Sequence, residues 1–284
     1  MAEPIATPDP GGAPPPPPLP APPARPRRLV YLGTPQMAVP PLRALHEAGF
    51  DVALVVTGPD RKRGRSGATS PTPVKAAALE LGLPVSHDVA EVTEAGADLG
   101  VVVAFGQLLR RPVLEVLPMV NLHFSLLPRW RGAAPVERAI LAGDDRTGVC
   151  VMAVEEGLDT GAVYRRAEVA IGPRTTAAEL AAELTDRGAR LLVDALRDGL
   201  ADPEPQRGEA TYAAKLFAGD RRLDWHLPAR DLDRRVRVGG AWTTYRGRRF
   251  KVLDAEPAPA PEAGDDPPGT LRGDLVACGA GRLR

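Results

Sequence analysis

The sequence predicts a doubly wound α/β domain followed by a smaller β domain, and three observations carry that expectation. Between residues 28 and 197, short apolar runs alternate with helix-period stretches, the pattern of a sheet covered by helices. The run Leu99–Phe105 is nearly uniform in Val, as expected of a strand buried on both faces of a parallel sheet. Beyond the Pro- and charge-rich stretch ADPEPQRGEAT, helical periodicity gives way to short apolar pieces among Gly and Pro, which marks a boundary and a β-type unit.

Taken in order, the chain opens on PGGAPPPPPLPAPPARPRR, which lacks the cationic start and apolar run of a secretory signal and reads as a disordered or polyproline tail over 1–27. Leu29–Leu32 is a short strand, Gly33-Thr34-Pro35 a turn, and Met37–Ala48 a helix with Leu42 and Leu45 on one face. Val52–Thr57 is a second strand; Ala76–Leu81 continues a helix that Gly82 and Pro84 close. Leu99–Phe105 and Met119–His123 are further strands, and Val136–Ala142 a helix with Pro135 at its first turn and Gly143 after its last. Gly148–Val154 precedes the turn EGLDTG, and Glu179–Leu196 is a last amphipathic helix. The main domain thus covers 28–197, a linker 198–211 and the β domain 212–284.

Composition excludes several classes. The 36 basic and 36 acidic side chains cancel, so no global field gathers polyanions, and an RNA partner must be met by a local patch. Cys150 and Cys278 are the two cysteines, too few for a disulfide framework and without CxxC spacing, which points to a cytoplasmic protein. The four His show no HxxxH or HxH spacing, so no metal site is expected. The longest apolar runs fall far short of the roughly 20 residues a bilayer span needs.

The chemistry concentrates in NLHFSLLPRWRGAAP, residues 121–135. Side chains two apart on a strand share a face, so Asn121 and His123 project together while Leu122 packs opposite. Asp159 stands in a glycine-flanked turn after the next strand. An amide, an imidazole and a carboxylate lack a nucleophile, and Ser125 has no GxSxG setting. They can hold a developing oxyanion and move a proton, which suits direct acyl transfer to an amine. Gly33 stands alone, with no GxGxxG for a dinucleotide.

These residues resemble the methionyl-tRNA formyltransferases. The run NLHFSLLPRWRGAAP, the turn GLDTG, the opening LVYLGTP, and VVVAFGQLL, TYAAKL and GAWTTYRGRRFKVL carry the resemblance from Arg28 to the end. It implies a Rossmann-like, doubly wound, mostly parallel sheet, then a linker and a small OB-like β-barrel. It further implies formyl transfer from 10-formyltetrahydrofolate to the α-amine of methionine on initiator tRNA, by a monomer. Within it, Asn121, His123 and Asp159 match the catalytic trio, and Ser125, Leu126, Leu127 and Pro128 the folate-facing SLLP motif. The family's basic tRNA loop corresponds to the segment holding Arg61, Lys62, Arg63 and Arg65. Four cations within five residues suit phosphate, and Arg129 and Arg131 flank an indole at the rim.

A second basic zone, Arg221–Lys251, holds ten Lys/Arg against three Asp; its aromatics Trp225, Trp242 and Tyr245 are expected in the core. Relative to the family the chain stops early, at LVACGAGRLR, so the β domain is expected to be shortened, with its closure in doubt and an unpaired final edge. Competing activities are formyl transfer to an amino-sugar nucleotide, hydrolysis of 10-formyltetrahydrofolate, and RNA binding without catalysis.

Overall fold

The computed structural model describes residues 17–62, 69–259 and 266–284. Seven strands form one sheet in the order Val163–Ala170, Arg146–Ala153, Met119–His123, Leu99–Val103, Arg28–Gly33, Asp51–Val56, Val85–Ser86. Neighbours from Met119–His123 to Val85–Ser86 run parallel, as anticipated. The two strands on the other side run antiparallel to theirs.

The edge strand Val163–Ala170 is absent from the reading of apolar runs. It carries Arg165, Arg166 and Glu168 on solvent, the charged dress of an edge that must not recruit another strand. Only residues 154–162 separate it from its partner, too few for a crossover helix, so the pair is a hairpin.

Alternation along the strands sorts their side chains onto two unequal faces. Leu29, Tyr31, Val101, Val103, Val120, Leu122, Val149 and Val151 enter one continuous core under the helices Val39–Glu47, Pro73–Glu80, Pro135–Ala142 and Ala177–Asp198. The last of these starts with a capping box, in which Thr176 and Glu179 satisfy each other's backbone N–H. Its Gly188 lets it approach closely, since a Cβ there would sit 3.1 Å from both Leu122 and Val149.

The opposite face carries two smaller apolar clusters. Val30, Leu32, Val102 and Met119 lie under Leu109, Leu114 and Leu117, whereas Leu127, Cys150, Met152 and Val163 form a separate group. Leu19 packs against the first cluster, and Leu200 N–H donates to the Ala24 carbonyl at 2.9 Å. Residues 17–27, expected in a disordered tail, therefore lie on the domain, because their Leu and free carbonyls find partners there.

The second domain has its own core of Leu223, Leu232, Val236, Ala241, Cys278 and Leu283. Antiparallel pairing joins Trp242–Tyr245 to Arg248–Lys251, and Leu271–Arg272 to Leu275–Ala277 to Arg282–Leu283. Among the described residues these remain two separate sheets and do not close into a barrel. A helix, Ala229–Val238, supplies much of the core. Its signal was Ala229, Leu232 and Val236 at helical spacing, obscured by four arginines. The final strand does not present an open edge: Glu256 and Arg284 exchange backbone bonds of 3.0 and 2.8 Å.

Candidate active site

By strand alternation Asn121 and His123 emerge on the divided face, between the two apolar clusters. Met152 and Cys150 stand opposite them in the ladder. Because Arg146–Ala153 runs antiparallel, its end lies beside the start of Met119–His123, and Asp159 returns from the hairpin loop to reach Asn121. The packet thus stands at the carboxyl end of the parallel strand Met119–His123, on the face that the hairpin loop covers. Close approach within this loop requires Gly161, where a Cβ would meet the Ala153 carbonyl oxygen at 2.0 Å.

Asp159 adopts φ 50, a left-handed conformation that Asp tolerates better than most residues. Its Oδ1 accepts from Asn121 Nδ2 at 3.3 Å, and its Oδ2 from the Gly132 N–H at 2.7 Å. His123 Nε2 lies 2.9 Å from the Trp130 carbonyl; a carbonyl only accepts, so that nitrogen carries the hydrogen. Nδ1 then faces Asp159 Oδ2 at 3.6 Å, beyond hydrogen-bond range but within ion-pair distance. The His123 side chain is 6% exposed and that of Asp159 15%, so the pair is shielded yet reachable. The geometry brings the three predicted residues together.

The SLLP segment is mostly structural in this arrangement. Ser125 is fully buried and its hydroxyl donates to the Arg129 carbonyl at 2.6 Å. Leu127 joins the smaller apolar cluster, Leu126 packs over Gly148, and Leu126 and Pro128 keep partial exposure. Burial pushes the Cys150 thiol up, so it stays neutral beside His123.

At the rim, Asp144 accepts from Arg129 Nε at 2.9 Å and from the Trp130 indole at 2.8 Å. Arg129 stacks 4.6 Å over that indole. The carboxylate raises the Arg129 pKa, mainly by hydrogen bonding. Arg131 is held by Gln206 at 2.7 Å. Residues classed as linker enclose this rim: Thr211 accepts from Trp130 N–H at 2.9 Å through its hydroxyl and from Arg131 N–H at 2.8 Å through its carbonyl. No compositional signal distinguishes Gln206 from linker residues, whereas Thr211 opens the run TYAAKL. Arg61 and Lys62 pair through their backbones with Ser70 and Thr69, while Arg63 and Arg65 lie outside the described residues.

In the second domain Trp242 lies between Arg249 and Arg222, at 4.3 and 5.7 Å, and Arg246 covers Tyr245 at 5.3 Å. Tyr245 is 50% exposed, so it belongs to a basic surface, contrary to the expected core, because arginine faces replace apolar neighbours. Trp225 is half-buried, its indole donating to Thr243. Concavities of about 810 and 440 Å³ lie in this domain and along its seam with the helix Pro135–Ala142. Volume and chemistry thus point to different places. The packet is the stronger candidate. The His226–Asp224 pair of the larger concavity stands exposed, with no Asn or Gln among the described lining residues, whereas His123 is buried on the same strand face as the Asn121 amide. Among the described residues no cluster of three His, Cys, Asp or Glu suits a metal ion, and no helix is long and apolar enough to cross a membrane.

The formyl transferase family pattern matches residues 27–196, and that of the formyl transferase C-terminal domain residues 215–284. A methionyl-tRNA formyltransferase of Symbiobacterium thermophilum is 46% identical over 281 residues, covering 90% of this chain and 86% of that protein. One of Thiobacillus denitrificans is 46% identical over 277 residues, covering 90% and 89%. Among solved structures, an N-formyltransferase from Helicobacter canadensis, in complex with folinic acid and dTDP-3-aminofucose, superposes with a TM-score of 0.71 at 14% identity, covering 90% and 97%. HypX from Aquifex aeolicus in complex with tetrahydrofolic acid gives 0.61 at 17%, with 92% of this chain spanning 43% of that one. At these identities the likeness speaks for the fold.

Proposed function

The chain belongs to the formyl transferase family, and from that premise we propose that it transfers the formyl group of 10-formyltetrahydrofolate to the α-amine of methionine on initiator tRNA. The observation that carries the chemistry is the convergence of Asn121, His123 and Asp159 without a nucleophile among them. The amine attacks the formyl carbon directly, and the carbonyl electron pair moves to oxygen. Asn121 has a second amide hydrogen beyond the one given to Asp159, and this donates to that oxygen. His123 takes the amine proton on Nδ1, where Asp159 stabilises the imidazolium. When the electron pair returns to carbon, the bond to N10 breaks and N10 leaves with the proton. The partly exposed Leu126 and Pro128 border the donor; Arg129 and Arg131 are held by Asp144 and Gln206, and together with the charges of Arg61, Lys62, Arg63 and Arg65 they serve the RNA phosphates.

The test is incubation with 10-formyltetrahydrofolate and either methionyl-tRNA, an amino-sugar nucleotide or water alone. Formylmethionyl-tRNA and equimolar tetrahydrofolate are expected; formyl on the sugar, or formate alone, overturns the reading. Arg65→Ala should raise KM for the tRNA and leave that for folate unchanged, since a phosphate contact carries no folate affinity.

A further inference from the structure

Gln206 closes a ring of hydrogen bonds around the candidate carboxylate. Its Nε2 donates to the carbonyls of Asp159 and Gly161, each at 2.8 Å. Its Oε1 accepts from Arg131 Nε and Nη2 at 3.1 and 2.7 Å. The chain then passes from Arg131 to Gly132, whose N–H returns to Asp159 Oδ2 at 2.7 Å. Carbonyls only accept and a guanidinium only donates, so all four contacts fix the same amide orientation.

The ring has work to do because Asp159 sits at φ 50, a conformation that costs energy in a non-glycine residue and persists when its surroundings over-determine it. Gln206 ties the carbonyls on both sides of this turn. It is itself anchored: Glu204 and Val163 exchange backbone bonds of 2.8 and 2.9 Å, and Thr211 binds the rim segment.

We propose that Gln206 is a positioning residue for Asp159, and that through it residues 204–213 form a wall of the active site instead of a tether between domains. The assignment deepens the formyl-transfer reading and rests on it for its kinetic consequence. Gln206 touches none of the reacting trio's side chains; it acts through the backbone that aims the carboxylate at Asn121 and His123. The same amide holds Arg131, so the carboxylate and the rim cation are set by one side chain.

Two variants separate its arms. Gln206→Glu keeps the length and the Arg131 contact but turns carboxylate oxygen toward two carbonyls. Gln206→Met keeps the length and removes both arms without leaving a large cavity. On the full chain, both are expected to lower kcat by roughly ten- to a hundredfold, the scale of an ångström's misplacement, with KM for the folate donor within about twofold of the parent. In Gln206→Glu the KM for methionyl-tRNA stays at the parent value. A kcat for Gln206→Glu within about threefold of the parent, or effects confined to KM for the tRNA, overturns the proposal in favour of a role through Arg131 alone.

Amide hydrogen exchange without substrate gives a second readout. The parent should protect the Gly132 amide, whose hydrogen goes to Asp159 Oδ2, and Gln206→Glu should lose roughly tenfold or more of that protection while the sheet amides keep theirs. An unprotected Gly132 amide in the parent overturns the proposal whatever the activity. A protein inactive toward methionyl-tRNA but showing this exchange pattern would sink the functional reading alone.

Discussion

One face of the seven-stranded sheet is roofed by four helices over a continuous core, while the other carries two apolar clusters with a polar gap between them. Both faces come from the same strands, and Leu122 and His123 are chain neighbours pointing opposite ways. On the roofed face burial is nearly complete, and each side chain works through area removed from water. In the gap, few atoms are apolar, and organisation comes from directed bonds: Asp159 to Asn121 and Gly132, His123 to Trp130, Gln206 to the turn. Substitutions on one face should therefore change stability, and on the other rate.

The strongest test of that separation is Leu184→Ala, in the helix Ala177–Asp198. Leu184 is 0% exposed, and truncation should cost about 2–5 kcal/mol of unfolding free energy. Denaturant titration measures this, and kcat well below the unfolding transition should remain within about threefold of the parent. A large loss of kcat in folded protein would break the comparison.

On the open face, His123→Ala or Asn121→Ala should slow formyl transfer by about a hundredfold, near 2.7 kcal/mol of barrier, with little change in the unfolding midpoint. Single-turnover rates read it out. A rate within about threefold of the parent would remove either residue from the proposed chemistry.

The smallest effect sharpens the account of the roof. Thr176→Ala removes the hydroxyl that caps the helix and should cost about 1 kcal/mol. The Thr176 backbone N–H, and next its hydroxyl, hold the Glu179 carboxyl below its ordinary value. A depressed folded pKa stabilises above the unfolded value, and that stability is lost as pH falls through the folded one. The gap between parent and variant should therefore narrow on acidification below about pH 4.5, near the ordinary range of Glu. A gap that widens in acid would exclude the carboxylate from the cap.

Much of this molecule is legible in its residues because the relevant signals are local. The Val-rich run gave a buried parallel strand, Pro135 and Gly143 bracketed a helix, and Gly143 ends it at φ 75. The two-residue strand period alone puts Asn121 and His123 on one side. The edge strand Val163–Ala170 escaped because its solvent-facing charges hide the apolar pattern, and the helix Ala229–Val238 because arginines crowd its narrow buried stripe.

By itself the sequence determined the alternation of elements, the amide and imidazole on one strand face, and the carboxylate in a glycine-flanked turn. Each follows from backbone periodicity or from the conformations that Gly, Pro and Asp permit over a few residues. Tertiary structure alone decided that a hairpin folds Asp159 back onto Asn121, that His123 gives its Nε2 hydrogen to Trp130, and that Gln206 joins the turn to the rim. Those contacts join residues 7 to 75 positions apart. Their geometry depends on strand direction and close packing, which no local pattern encodes.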